Sequence, residues 1–173
     1  MKKLLIVVDY QNDFVTGALG FEGARQIEAA LCRKIESYQA QGADVVYTMD
    51  THGEDYAQTQ EGKKLPVPHC MEGTQGWALY GRCAQLLKGC RQFKKGTFGS
   101  MELAQWLGAQ GYDAVELCGV VTNICVLSNA VLCKAALPEA EITVDAACVA
   151  GADEALNRAT FDVLRGIHVN VIG

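Results

Sequence analysis

Residues 117–131, LCGVVTNICVLSNAV, contain the change from strand to helix around which the rest of the chain is organised. The mostly apolar run at 113–118 predicts a buried strand, and Gly119 is expected to end it. Thr122 or Asn123 can cap a helix, because apolar residues then follow at helical spacing. The stretch therefore predicts a strand, a tight turn and a helix in direct succession.

Cys125 lies in the first turn of that predicted helix. Unpaired N–H groups and the positive end of the helix dipole favour an anion there, so we expect a thiol pKa below the ~8.5 of a free cysteine. A strand-to-helix turn that presents a reactive atom at the carboxyl edge of a sheet is the geometry of a nucleophile elbow. Cys125 is therefore a candidate nucleophile. The alternative is a small buried hydrophobic residue, as most free cysteines are.

Length and charge limit the classes of function. A chain of 173 residues is most simply one domain, spanning 1–173, with an ordinary hydrophobic core. The net charge of -5 comes from mixed signs and leaves no basic stripe, so we expect neither nucleic acid nor an acidic membrane surface as a partner. A small molecule is the expected ligand, and we also expect a homo-oligomer.

The N-terminus and the cysteines indicate where the protein works. The apolar run at 4–8 is closed by Asp9 and lacks a cleavage site, so it predicts a first strand rather than a signal peptide. No apolar stretch reaches the ~18 residues of a membrane span. The eight cysteines are scattered and form no C-x-x-C pair, which favours buried thiols in a reducing compartment. We therefore predict a cytoplasmic protein.

Strands and helices alternate along the chain. Strands are predicted at 2–8, 43–49, 91–94, 113–118, 142–145 and 167–172, and helices at 24–40, 79–88, 100–109, from Cys125 onward and at 153–164. The polar, glycine-rich region 51–76 predicts a long loop, and such loops are usually functional. Alternation of this kind predicts a three-layer, Rossmann-like α/β fold. Its six-stranded sheet is expected to be mainly parallel, with helices on both faces.

Polar residues recur where the predicted strands end, and ligands of parallel sheets bind at that edge. Asp9 directly follows an unbroken apolar run, so partial burial is expected to raise its pKa and to suit it to a base. Lys95 follows the third strand, where its ammonium can stabilise a thiolate or an oxyanion near Cys125. The simpler interpretation is a strand-end aspartate and a solvated lysine, like the neighbouring Lys94.

A second polar group follows the second strand. Asp50 and His52 are two residues apart, so an extended backbone places both side chains on one face. His69 follows two prolines, at 66 and 68, that can stiffen the returning loop. One carboxylate and two imidazoles suit zinc, iron or manganese, and Glu61 is a candidate for a further ligand. Alternatively, these are exposed loop histidines. We predict that His168 is structural or exposed.

Four motifs together resemble the isochorismatase-like cysteine hydrolases. They are VVDYQNDF at 7–14, TMDTH at 48–52, KGTF at 95–98 and GVVTNICV at 119–126, which occur in the expected order. The Asp-x-His pattern with a later histidine resembles the nicotinamidase branch of that family. The resemblance implies the isochorismatase-like form of the predicted fold.

The resemblance also implies roles for particular residues. It implies a catalytic triad of Asp9, Lys95 and Cys125, and a cis peptide bond between Val120 and Val121. The amides of Val121 and Cys125 would then form an oxyanion hole. The remaining roles concern metal and substrate: Asp50, His52 and His69 as metal ligands with Glu61 as the fourth, and Phe14, Phe98 and Trp77 as aromatic residues against a planar ring.

The activity implied by the resemblance is hydrolysis of nicotinamide to nicotinate and ammonia through a thioester on Cys125. The alternative within the same fold is an amidohydrolase acting on another small carboxamide, carbamoyl or ureido compound, which would not need a metal to anchor a ring nitrogen. Two other classes are a non-catalytic interaction protein and a cysteine redox sensor. The implied triad argues against the first, and the lack of an obvious resolving cysteine against the second.

Overall fold

A computed structural model describes residues 1–173 as one sheet covered by helices on both faces. The six strands are β1 (Lys3–Val8), β2 (Asp44–Asp50), β3 (Arg91–Lys95), β4 (Ala114–Val120), β5 (Glu141–Ala150) and β6 (Asn170–Ile172). Their order across the sheet is β3-β2-β1-β4-β5-β6, and every neighbouring pair is parallel. The predicted α/β class with its six-stranded parallel sheet is therefore confirmed.

The helices lie in two layers, each packed on one core. They are α1 (Asn12–Val15), α2 (Glu22–Gln26), α3 (Glu28–Ala40), α4 (Gln60–Lys64), α5 (Cys83–Leu86), α6 (Met101–Gly108), α7 (Leu127–Ala136) and α8 (Glu154–Gly166). Buried residues of α6, α7 and α8 pack in one core, and those of α2, α3 and α5 pack in the other. No helix combines the length and the hydropathy that crossing a membrane requires. All eight cysteines are free thiols.

Several predicted boundaries were wrong where tertiary contacts decide them. The helix expected at 24–40 is divided at Ile27 into α2 and α3, and the helix expected at 79–88 shortens to α5. The region 51–76 contains a short 3₁₀ helix (Tyr56–Gln58) and α4 rather than an uninterrupted loop. Strand β6 begins three residues later than predicted, at Asn170.

Gly119 was expected from the sequence to end β4, but it does not. The strand continues through Gly119 to Val120. Gly119 has φ +110°, and a Cβ there would lie 2.1 Å from the carbonyl oxygen of Val8 on the adjacent β1. Glycine is therefore required because the two strands approach too closely for a side chain, and this approach brings the ends of β1 and β4 together.

The turn after β4 also differs from the expected capped helix. Thr122–Val126 form a π-helical turn that leads into α7. Val121 occupies the capping position, where no side chain accepts a hydrogen bond, and the buried hydroxyl of Thr122 has no hydrogen-bond partner. The predicted caps, Thr122 and Asn123, are therefore not used. π-turns of this kind are frequent at functional sites.

Candidate active site

Asp9, Lys95 and Cys125 meet at the carboxyl edge of the sheet. Asp9 directly follows β1, Lys95 ends β3, and Cys125 lies in the π-turn after β4. The Lys95 Nζ lies 2.6 Å from Asp9 Oδ2 and 3.5 Å from Cys125 Sγ. All three side chains are buried. A carboxylate and a thiol thus share one ammonium group in a site largely closed to water.

Neighbouring groups hold this trio in place. The Thr48 hydroxyl donates to Asp9 Oδ1 at 2.7 Å, and the Lys95 ammonium donates to the Thr97 carbonyl at 3.0 Å. Asp9 itself adopts φ +47°, a conformation that non-glycine residues seldom adopt outside turns and functional sites. The geometry of the carboxylate is therefore fixed from both the backbone and the side chain.

Burial controls the protonation of these groups. It raises the pKa of Asp9, against the opposing effect of the Lys95 ammonium. Burial would lower the pKa of Lys95, but Asp9, Cys125 and Asp50 outweigh it and raise that pKa. Lys95 therefore stays charged, and Asp9 has the raised pKa expected of a base.

The expected fall in the pKa of Cys125 was wrong. Burial raises the pKa of this thiol well above its ordinary value, and the negative charge of Asp9 raises it further while Lys95 opposes the shift. The dipole argument assumed an exposed first turn of an α-helix, whereas the residue is buried in a π-turn. Burial therefore favours the neutral thiol, and a base is needed to form the thiolate.

Four side chains with metal-binding atoms converge beside the trio. Asp50 Oδ2 lies 3.1 Å from His52 Nε2 and 3.4 Å from His69 Nε2. Glu61 Oε1 lies 3.8 Å and 3.6 Å from the same two nitrogens. The four ligand atoms, one from each residue, all lie within 4.8 Å of one another. Two imidazoles and two carboxylates in this arrangement suit a divalent metal ion.

Hydrogen bonds around this group orient its members. The Val67 carbonyl lies 2.8 Å from His69 Nδ1 and accepts its proton in the neutral ring, which leaves Nε2 free to bind a metal. Gln11 holds the backbone of Asp50, accepting from its N–H at 2.8 Å and donating to its carbonyl at 2.9 Å. Burial would raise the pKa of Asp50, but the contacts with His52 and His69 and the charge of Lys95 outweigh it and lower that pKa. The donor set is thus held in a form that can bind a cation.

The two groups open onto one mostly apolar cleft of about 230 Å³. Phe14 and Phe98, both expected at the substrate, line it. Trp77 does not, which corrects that prediction: its indole N–H donates to the Thr51 hydroxyl at 2.9 Å, away from the cleft. Sequence reasoning missed five other lining residues, Leu19, Phe21, Leu65, Ile124 and Ala152. Of these, Ala152 could have been found because it follows β5 at the same sheet edge.

The residues expected at the oxyanion hole lie at the end of β4. The peptide bond between Val120 and Val121 is cis. Val121 lines the cleft, whereas Val120 is buried in the core beneath it. Cys125 lines the same cleft, so the Val121 and Cys125 residues border one space.

Fold and site together define a class: a three-layer α/β protein with a buried cysteine, lysine and aspartate beside a group of metal-binding side chains. The chain belongs to the isochorismatase family, since the Isochorismatase domain matches residues 3–173. This confirms the family resemblance found in the motifs.

Individual relatives are similar over most of their length. The chain is 33% identical to the nicotinamidase/pyrazinamidase of Mycobacterium tuberculosis over 146 residues, covering 74% of this chain and 76% of that protein. The crystal structure of the nicotinamidase PncA from Bacillus subtilis matches with a TM-score of 0.88 at 29% identity, covering 100% of both chains. A pyrazinamidase of Pyrococcus horikoshii in complex with zinc shares the fold, with a TM-score of 0.84 at 24% identity over 99% of each chain.

Proposed function

We propose that this protein hydrolyses nicotinamide to nicotinate and ammonia through a thioester on Cys125. The observation that carries the proposal is the position of the Lys95 ammonium, 2.6 Å from Asp9 and 3.5 Å from the Cys125 thiol, at one apolar cleft with a four-donor metal group. Relatives at 29–33% identity that are named nicotinamidases support the choice of substrate. A role in pyridine nucleotide salvage follows from the product and belongs to the same proposal.

The proposed chemistry starts from the neutral thiol. Asp9 accepts the proton of Cys125 as the thiolate attacks the amide carbon, and the N–H groups of Val121 and Cys125 hold the resulting oxyanion. Asp9 then returns the proton to the leaving nitrogen, and ammonia departs. A water molecule, deprotonated by Asp9, attacks the thioester and releases nicotinate and the thiol. The Lys95 ammonium favours the ionised form of Asp9 and offsets the negative charge that develops near the thiol.

The four donors are proposed to hold a divalent metal ion. Asp50, His52, His69 and Glu61 suit zinc best because the set mixes imidazole nitrogen and carboxylate oxygen, with iron and manganese as the alternatives. When bound, the ion supplies a Lewis-acid anchor for the ring nitrogen of the substrate. The aromatic side chains of Phe14 and Phe98 line the space where the substrate ring would lie. The cytoplasmic location and the homo-oligomeric state stay predictions from the sequence.

A panel of small amides tests the proposal. Zinc-loaded protein is mixed with nicotinamide, with benzamide, which has the same shape without the ring nitrogen, and with an acyclic ureido compound, and ammonia release is measured. We expect nicotinamide to be the best substrate by at least about tenfold over benzamide, and Cys125→Ala to release no ammonia while keeping its metal. Preferred turnover of the ureido compound, independent of metal, would instead support the second amidohydrolase function.

A further inference from the structure

The segment 96–99 brings Phe98 to the cleft but has little support from its own backbone. It connects Lys95, at the end of β3, with α6. No backbone-to-backbone hydrogen bond involves any of these four residues. Phe98 is 44% exposed at the mouth of the cleft, so packing alone holds it weakly. The Lys95 ammonium donates to the Thr97 carbonyl within the segment, and the position of Phe98 itself must come from side chains elsewhere.

Asn129 supplies that support from α7. Its side chain is fully buried, and its amide nitrogen donates to the carbonyls of Phe98 at 3.1 Å and Cys125 at 2.8 Å. Its amide oxygen accepts from the N–H of Ser100 at 3.0 Å. Asn129 lies one helical turn after Cys125, so a single side chain binds the backbones of the candidate nucleophile and of the aromatic wall.

Packing on α7 agrees with this arrangement. A Cβ added at Gly99 would lie 2.8 Å from Leu132 Cδ1, so the segment runs directly against the helix. At its far end the Ser100 hydroxyl accepts from the N–H of Leu103 at 3.1 Å and caps α6. The segment is thus held between the start of α6 and the face of α7 that carries Asn129.

We propose that Asn129 is a positioning residue that holds Phe98 at a fixed distance from Cys125 and thereby favours planar ring amides. The choice of ring amide rests on the proposed function, whereas the anchoring of the segment 96–99 does not. With Asn129 truncated, the Phe98 carbonyl loses the side-chain donor that fixes it, and the ring loses its defined place beside the thiol. Substrate binding weakens, while Asp9 and Lys95 keep their contacts with each other and with Thr48 and Asp50.

The experiment compares Asn129→Ala, Phe98→Ala and the double variant in the zinc-loaded protein. We expect each single variant to raise the KM for nicotinamide about tenfold, the effect of roughly one hydrogen bond, with kcat within about twofold of the wild type. Because Asn129 acts through Phe98, the double variant should be no worse than Phe98→Ala alone. Tyr112→Phe is the control, since it removes a hydrogen bond to Asp44 far from the cleft and should leave KM unchanged.

A second readout needs no substrate. Hydrogen exchange at the Ser100 amide should accelerate in Asn129→Ala and stay at the wild-type rate in Phe98→Ala and Tyr112→Phe. Asn129→Asp tests the acceptor role of the Asn129 side chain separately from its donor role. It also replaces Asn129→Ala as the test variant if Asn129→Ala does not fold. It keeps the acceptor for Ser100 but loses both donors, so Ser100 should stay protected while the KM rises.

The outcomes distinguish this proposal from the proposed function. Unchanged Ser100 exchange in Asn129→Ala, additive KM effects in the double variant, or an equal KM change in Tyr112→Phe would overturn the role of Asn129. If the wild-type protein releases no ammonia from nicotinamide but Ser100 exchange rises only in Asn129→Ala, the proposed function fails and the anchoring of the segment stands.

Discussion

Two lysines in this protein, Lys95 buried and Lys34 half-buried, each lie between two carboxylates, but only the Lys95 cluster borders a cleft that contains a cysteine thiol. Lys34 contacts Glu116 and Asp145 on the α3 face of the sheet. The Tyr38 hydroxyl donates to Glu116 at 2.6 Å, and the Ala147 N–H donates to Asp145 at 2.9 Å. Each carboxylate of this cluster thus contacts Lys34 and accepts a further hydrogen bond from another group of the protein.

Lys95 has the same kind of surroundings with one difference. It contacts Asp9 and Asp50, but it also contacts the thiol of Cys125, and the carboxylate of Asp50 faces two imidazoles. The comparison shows that a buried ammonium between carboxylates is not by itself a functional signal. The functional signal is the further reactive and metal-binding atoms that the cluster presents to a cleft.

Replacing the two lysines in the same way should separate their roles most clearly. Lys95→Met is expected to lower kcat/KM for nicotinamide by at least about 10³-fold, because Asp9 and the oxyanion lose their compensating charge. Lys34→Met should leave kcat/KM within about threefold of the wild type in folded protein. Steady-state ammonia release at matched metal loading checks both, and equal losses in the two variants would remove the distinction.

Removing a metal-binding imidazole should have the next largest effect. His52→Ala is expected to weaken zinc affinity by at least about 100-fold, because a short contact of the four-donor group is lost. Glu61→Gln should weaken it less, since Glu61 lies farther from the imidazole nitrogens than Asp50 does. Elemental analysis after dialysis against a zinc buffer measures both. Full zinc retention in His52→Ala would contradict the assignment.

The Lys34 cluster should instead show its role in stability. Burial would raise the pKa of Asp145, but the hydrogen bond from Lys34 outweighs it and lowers that pKa. The stabilisation is therefore present above the ordinary carboxylate pKa and is lost as pH falls through the lowered value. In Lys34→Met the effect of burial on the pKa of Asp145 is opposed only by the Ala147 N–H, so the free energy of unfolding should fall by about 2 kcal/mol at neutral pH, between the values for exposed and for buried ion pairs.

That loss should shrink toward pH 5, because protonation of the unpaired carboxylates then becomes easier in the folded variant. Urea unfolding of wild type and Lys34→Met at the two pH values measures the difference. A loss of the same size at both values would show that Lys34 acts through packing rather than through charge.

The smallest effect is expected next to the candidate site. Lys94 is exposed and donates to Glu72, on the outside of the strand that presents Lys95 inward. Lys94→Ala should change kcat/KM for nicotinamide by less than about twofold, because a surface ion pair contributes little. If Lys94→Ala were as damaging as Lys95→Ala, the choice between the two lysines would be wrong.

The sequence predicted the site residues that follow regular strands. Asp9, Asp50 and Lys95 each end or follow a buried strand. Parallel strands bring such positions to one edge of the sheet, regardless of the conformation of the loops. The predicted strand-to-helix turn placed Cys125 at the same edge, and the motif resemblance joined Cys125 with Asp9 and Lys95 in one triad.

What sequence could not predict depends on tertiary packing. The pKa of Cys125 reverses direction because the residue is buried beside Asp9, which no local pattern encodes. Trp77 faces Thr51 instead of the cleft because the path of its loop is fixed by distant contacts. One such contact is the Cys70 N–H donating to Asp13 across the chain at 2.7 Å.

The covalent role of Cys125 is tested most directly by mass spectrometry of protein quenched in acid within milliseconds of mixing with nicotinamide. We expect one nicotinoyl group on the peptide that contains Cys125, and neither this group nor ammonia release in Cys125→Ala. An acyl group on another residue, or a Cys125→Ala variant that releases ammonia at the wild-type rate, would contradict it.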